Sequence, residues 1–143
     1  MGIKQVSVFV ENKKGSLHEI TDLLAKAEID LRSMCIADTS DYGIVRIIAS
    51  EPERAKEILN AAGHAANVRS VTAFAVPDQP GGLAKVLSIL EENGIDIEYM
   101  YSLFTQNDGK AYMVFRVSDK QKLMNEIKNN ALKTVSEKEL GLK

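Results

Sequence analysis

One unit of sequence occurs twice in this chain. Gly15-Ser16-Leu17 aligns with Gly81-Gly82-Leu83, an offset of 66 positions. At that offset Ile20 meets Val86, Leu23 meets Ile89 and Leu24 meets Leu90. Ile29-Asp30-Leu31 then meets Ile95-Asp96-Ile97, and Met34 meets Met100. Past a hairpin two residues longer in the second copy, Ala49-Ser50-Glu51 meets Val117-Ser118-Asp119. A register held over so many apolar positions marks a duplication. The expected units are residues 1–71 and 72–143. Each is small for a self-sufficient core, so the two should share buried surface.

Within a unit the hydrophobic period changes in a fixed order. Lys4 to Val10 alternates with β-branched residues, as a strand does. Leu17, Ile20, Leu24 and Ala27 form a helical stripe, with Leu23 beside it. Leu31 to Ala37 and Ile44 to Ala49 read as strands joined by a turn over 38–43. Pro52 suits the first turn of a second helix with Ala55, Ile58, Leu59 and Ala62 on its apolar face, and Gly63 can end it in the left-handed conformation. The second copy repeats the order: strand to Val76, helix on Leu83, Val86, Leu87 and Leu90, strand Ile97 to Phe104, and a turn around 107–109. Strand Tyr112 to Val117, a helix on Leu123, Met124 and Ile127 and a short strand near Lys133 to Val135 follow. The fold class is therefore α+β: two tandem ferredoxin-like βαββαβ units, each an antiparallel sheet with helices on one face. Val68 to Val76 is almost unbroken strand-like sequence, so the last strand of one unit should run into the first of the next.

Composition narrows the function. Lysine and arginine number 18 against 20 acidic residues, a net charge of −2, which leaves no electrostatic footprint for nucleic acid or an anionic membrane. No apolar run approaches the ~20 residues that cross a bilayer, and the N-terminus lacks the apolar core of a signal peptide. A cytoplasmic location is expected. Cys35 is the single cysteine, too few for an internal disulfide or a cysteine-based metal site, and it reads as a structural thiol.

The most informative segments are the loops after the first strand of each unit: Glu11-Asn12-Lys13-Lys14-Gly15-Ser16-Leu17 and Pro77-Asp78-Gln79-Pro80-Gly81-Gly82-Leu83. A glycine entering a helix allows close approach, and the first helical N–H groups favour a carboxylate or phosphate. The bland reading is a tight turn shaped by glycine, and duplication alone explains part of the likeness.

The pattern of a strand, Asp78-Gln79-Pro80-Gly81-Gly82-Leu83, a helix, and Gly94-Ile95-Asp96-Ile97 resembles the ACT domain, a small amino-acid-binding regulatory module. Unit one matches with two departures, Lys14 for the proline and Glu28 for the glycine. The resemblance covers nearly the whole chain as tandem modules, and the run Ile97 to Tyr101 is similar to stand-alone tandem ACT proteins. It implies a ligand site at module interfaces, with the glycine loop on the ligand carboxylate and polar loop and second-strand groups on its amino group. Carried over by position, the loop groups are Asn12, Gly15, Ser16 and Leu17, and Asp78, Gly81, Gly82 and Leu83. The second-strand groups are Asp30 and Asp96. Backbone N–H groups suit a carboxylate and an acceptor oxygen suits an ammonium. Asp30 and Asp96 read equally as cap or turn residues. Lys14 reads as a solvated loop charge or as a cation leaning over an anionic ligand.

Catalysis finds little support. There is no G-x-S-x-G elbow, H-E-x-x-H pair or phosphate-binding loop, and His18 and His64 have no counterparts in the second unit. No catalytic residue, cofactor or metal is expected. RNA-recognition modules share this topology and carry stacking aromatics on their third strand. The strand from Lys110 to Phe115 has two aromatics but lacks the leading basic residue and the first aromatic. Tyr99, Met100 and Tyr101 either line a pocket or pack in the core. The expected protein is a non-catalytic amino-acid sensor, a homodimer acting on a metabolic enzyme or regulator. The competing reading is a protein-protein interaction module or regulatory subunit with no ligand of its own.

Overall fold

The computed structural model describes residues 2–38, 41–107, 109–129 and 132–142. Thr39 and Ser40 in the first expected turn, and Asp108 in the second, lie outside the described residues. By contacts the chain divides in two. Lys4–Ser70, joined by Gly141 and Leu142, forms unit one; Val71–Leu140, joined by Gly2 and Ile3, forms unit two.

Unit one contains β1 (Ile3–Glu11) from Lys4 onward, α1 (Ser16–Lys26), β2 (Leu31–Asp38), β3 (Tyr42–Ala49), α2 (Pro52–Ala61) and the start of β4 (Ala65–Pro77). β3 lies between β2 and β1, antiparallel to both. Alternation along β1 sends Val6, Val8 and Val10 to one face, opposite Ile47, Val45 and Gly43 of β3. Ile20 and Leu24 of α1 and Ala55 and Leu59 of α2 close over that face, and all four are fully buried. Both helices thus cover one side of the sheet, as the period change along the sequence predicts. Leu17 departs from the expected stripe: it is 37% exposed, because it stands at the very start of α1 beside the loop. Gly63 ends α2 at φ 91°, with the His64 N–H bonded to the Leu59 carbonyl at 3.0 Å, the left-handed stop that the sequence anticipated.

Unit two repeats the plan with the rest of β4, α3 (Gly82–Glu92), β5 (Ile97–Asn107), β6 (Lys110–Val117) and α4 (Lys120–Lys128). β6 lies between β5 and β4, antiparallel to both. The expected final strand is a single antiparallel bridge from Thr134 to Phe74, flanked by bonds between Ala75 and Lys133 and between Val135 and Ala73. The core holds Phe74, Val86, Leu90, Phe115 and Leu123, with the Phe74 and Phe115 rings 5.3 Å apart. Buried Phe115 cannot serve as a stacking platform for RNA. β4 runs without interruption from Ala65 to Pro77, as the sequence led one to expect.

The duplication reaches details that periodicity does not show. Register irregularities fall between Leu31 and Ser33 in β2 and at the matched step between Ile97 and Tyr99 in β5. Glu28 stands where unit two has Gly94, yet it adopts the same left-handed conformation, φ 58° against 65°. A non-glycine residue there carries roughly 1 kcal/mol of strain.

Candidate functional site

The two loops entering α1 and α3 have the same backbone. Gly15 lies at φ 88°, ψ −6° and Gly81 at φ 85°, ψ −7°. The Asn12 N–H donates to the Asp41 carbonyl at 3.1 Å, as that of Asp78 does to Gly109 at 2.9 Å. Ser16 N–H closes a turn onto Lys13, and Gly82 N–H onto Gln79. Neither helix start receives a side-chain cap, and past Ser16 and Gly82 the next N–H groups, at Leu17 and His18 and at Leu83 and Ala84, have no hydrogen-bond partner among the described residues.

The two adjacent glycines of unit two have different reasons to be glycine. A β-carbon built on Gly15 or Gly81 meets nothing within 4 Å, so only the positive φ disfavours a side chain there. A β-carbon on Gly82 would run into the Pro77 carbonyl oxygen. Sequence reasoning placed the constraint on Gly81 and missed the steric one on Gly82, because nothing local shows how close the end of β4 comes to the first turn of α3.

Two cavities flank the loop of unit one. A small one of about 80 Å³ lies toward β2 and β3, lined by Asn12, Lys13, Ser16, Leu17, Ile36 and Gly43 among others. It gathers Asn12, Ser16 and Leu17 of the expected site. Leu17 and Ile36, 37% and 46% exposed, present apolar surface there. A larger one of about 360 Å³ lies between the start of α1 and the turn after α2, with Phe9, Glu11, Lys13, Ser16, Glu19 and His64 in its wall. His64 Nε2 lies 3.2 Å from Glu19 Oε1, and Lys13 Nζ lies 3.3 Å from Glu11 Oε2. The sequence did not single out Glu11, Glu19 or Ile36. The signal available was topological: α2 runs antiparallel to α1, so the residue after the Gly63 stop returns beside the start of α1.

Asp30 and Asp96 are not brought to their own loops. Asp30 lies past the far end of α1, and an 11-residue helix spans about 16 Å. There the Asp30 carbonyl accepts the Ser50 N–H at 2.9 Å, its own N–H donates to the Ser50 hydroxyl at 3.0 Å, and its carboxylate lies 3.3 Å from Arg32 Nε. The Asp96 carbonyl is held in the same way by Ser118, at 3.0 Å. Within one unit these residues join strand ends, the turn role that stood beside the ligand role. Lys14 is exposed on the loop. In unit two, a cavity of about 220 Å³ includes Gly82 in its wall, with Pro77, Lys85 and Lys133.

Other singled-out residues resolve simply. Burial pushes the Cys35 thiol above its ordinary pKa, against the opposing pull of Arg46, so the sulfur stays a weak nucleophile. Tyr101 is buried and its ring stacks 6.4 Å from that of Tyr99. Among the described residues, no three His, Cys, Asp or Glu side chains gather as metal ligands, and no helix is long and apolar enough to cross a membrane.

The crystal structure of protein BT0572 from Bacteroides thetaiotaomicron is 40% identical in sequence and superposes with a TM-score of 0.89, over 99% of this chain and 96% of that one. The ligand-free regulatory subunit of aspartate kinase from Thermus thermophilus shares the fold at 13% identity and a TM-score of 0.64, over 92% and 93% of the two chains. The corresponding subunit from Thermus flavus does so at 14% identity, over 92% and 93%, with a TM-score of 0.60. None of the curated proteins matches the chain. The family described as an ACT domain pair matches residues 1–142, which accounts for both glycine loops, both βαββαβ units and the matched irregularities in β2 and β5: the chain belongs to the ACT domain pair family.

Proposed function

We propose that the chain is a non-catalytic regulatory protein that binds a free amino acid at its glycine loops. The observation that carries this reading is the uncapped start of α1, which opens beside Gly15 into a cavity holding Asn12, Ser16 and Leu17. Backbone N–H groups there suit the ligand carboxylate. At about 80 Å³ the cavity is too small to enclose an amino acid, and exposed Leu17 and Ile36 stand at its side. A second ACT module closing over that surface completes the site in this reading, supplying the ammonium partner that Asp30 or Asp96 cannot bring to its own loop. Pairing into a homodimer follows from the same need. The ligand then shifts the arrangement of modules by its differential affinity for the two states, and a metabolic enzyme or regulator in the cytoplasm reads that shift. Gly81, Gly82, Leu83 and Asp78 form the matching loop of unit two. The likeness to aspartate kinase regulatory subunits supports the fold on which this reading rests.

Thermal denaturation against each proteinogenic amino acid tests it. A ligand at 100 times its Kd stabilises the folded state by about 2.7 kcal/mol, a rise of several degrees in Tm. One or a few amino acids should give that rise. If none does at millimolar concentration, the competing reading of an interaction module without a ligand takes its place.

A further inference from the structure

The large cavity of unit one and the cavity of unit two occupy matched places, with an offset of 66 before the longer hairpin and 68 after it. Their walls differ in charge: that of unit one is mixed, with Lys13 beside Glu11 and Glu19, and that of unit two is cationic. Where unit one has Glu11, Ser16, Glu19, His64 and Ala65, unit two has Pro77, Gly82, Lys85, Leu132 and Lys133. Every carboxylate and the imidazole are gone, and two lysines have arrived. Among the described residues the rest of the unit-two wall is apolar, with Phe74, Val86 and Ile89. Lys85 and Ile89 stand one turn apart on the same face of α3, so a cation and an apolar wall are presented together.

Among the described residues neither Lys85 nor Lys133 forms an ion pair. Glu139 lies within the field of Lys133, but its carboxylate is taken up by the Ser136 N–H and hydroxyl at 2.7 and 3.0 Å. The cavity volume of about 220 Å³ corresponds to about seven waters at ~30 Å³ each. That is below the ~300 Å³ of the smallest drug-sized pockets, so a small ligand matches it better than a nucleotide does.

We propose that the unit-two cavity binds a short-chain organic carboxylate with an apolar tail and no ammonium group. The two lysines attract the carboxylate, and Phe74, Val86, Ile89 and Leu132 cover the tail. An amino acid of the same shape is rejected, because its ammonium would be desolvated beside two cations, with no acceptor side chain among the described residues of the wall. This site is separate from the amino-acid site proposed at the loop of unit one, and the two can fail independently.

The test uses the full chain, 4-methyl-2-oxopentanoate and leucine, which differ at the α-carbon, with the amide resonances of Ile89 and Leu132 as reporters. The oxo acid should shift both resonances and bind there at least tenfold more tightly than leucine. Lys85→Gln with Lys133→Gln should weaken it at least tenfold, whereas Glu19→Gln in unit one should leave it unchanged. A measurement on the parent protein needs no variant: affinity should fall as salt rises from about 0.05 to 0.5 M, since screening weakens exposed charge attraction. The proposal is overturned if the oxo acid leaves both resonances in place, if leucine moves them at equal affinity, if the double variant binds as the parent does, or if salt has no effect.

Discussion

Unit one and unit two hold nearly the same backbone with different side chains where the loops meet solvent. Gly15 and Gly81 agree within 3° in φ, and each hydrogen bond of one loop has its counterpart in the other. Yet Ser16 stands where unit two has Gly82, Glu19 where it has Lys85, and Glu28 holds by strain the conformation that Gly94 holds freely. The backbone is constrained by its own hydrogen bonds and by the core, which any drift would disrupt. Side chains at the cavity walls answer to no such closure, so one plan carries a mixed-charge wall in one copy and a cationic one in the other. Likeness of fold between the two copies therefore does not imply likeness of ligand.

The comparison can be broken first at the pair Ser16 and Gly82. Gly82→Ala should lower stability by about 3 kcal/mol or more, because the methyl group meets the Pro77 carbonyl. Ser16→Ala in unit one should cost less than about 1 kcal/mol. Urea denaturation of both variants decides it, and equal losses would mean that the two helix starts approach their strands alike. Next come Gly15→Ala and Gly81→Ala, expected to cost about 1–2 kcal/mol each and to match one another, since positive φ is the shared penalty and neither site is crowded. The amino-acid-dependent rise in Tm should weaken in both, since the proposed carboxylate contact lies at these loops. Loss of that response with stability intact would place ligand contact at the glycine itself.

A smaller effect has the opposite sign. Glu28→Gly should stabilise by about 0.5 kcal/mol, relief of left-handed strain outweighing the entropy of an added glycine. Its counterpart Gly94→Ala should destabilise by about 1 kcal/mol, and a shared direction for the two would refute the match. The smallest effect is expected at His64 and Glu19. Glu19 is more than half exposed, so His64→Gln should change stability by no more than about 0.5 kcal/mol by the same denaturation assay.

The local code was readable without coordinates. Period-2 and period-3.6 patterns, Pro52, Gly63 and the offset of 66 led to every named strand and helix, to the helices on one face and to the uninterrupted β4. Each of these is a property of neighbours along the chain. Tertiary structure alone decided which ends meet. Counting fifteen residues from Gly15 to Asp30 reveals nothing of the 11-residue helix that carries Asp30 to the far end of its unit, where Ser50 holds it. His64, forty-five positions from Glu19, comes within 3.2 Å of it because α2 returns antiparallel to α1. Leu17 belongs to the apolar stripe by period yet lies at the helix start, where it stays 37% exposed beside the loop. Local pattern determines conformation, whereas contact between distant residues depends on element lengths and directions summed over a whole unit.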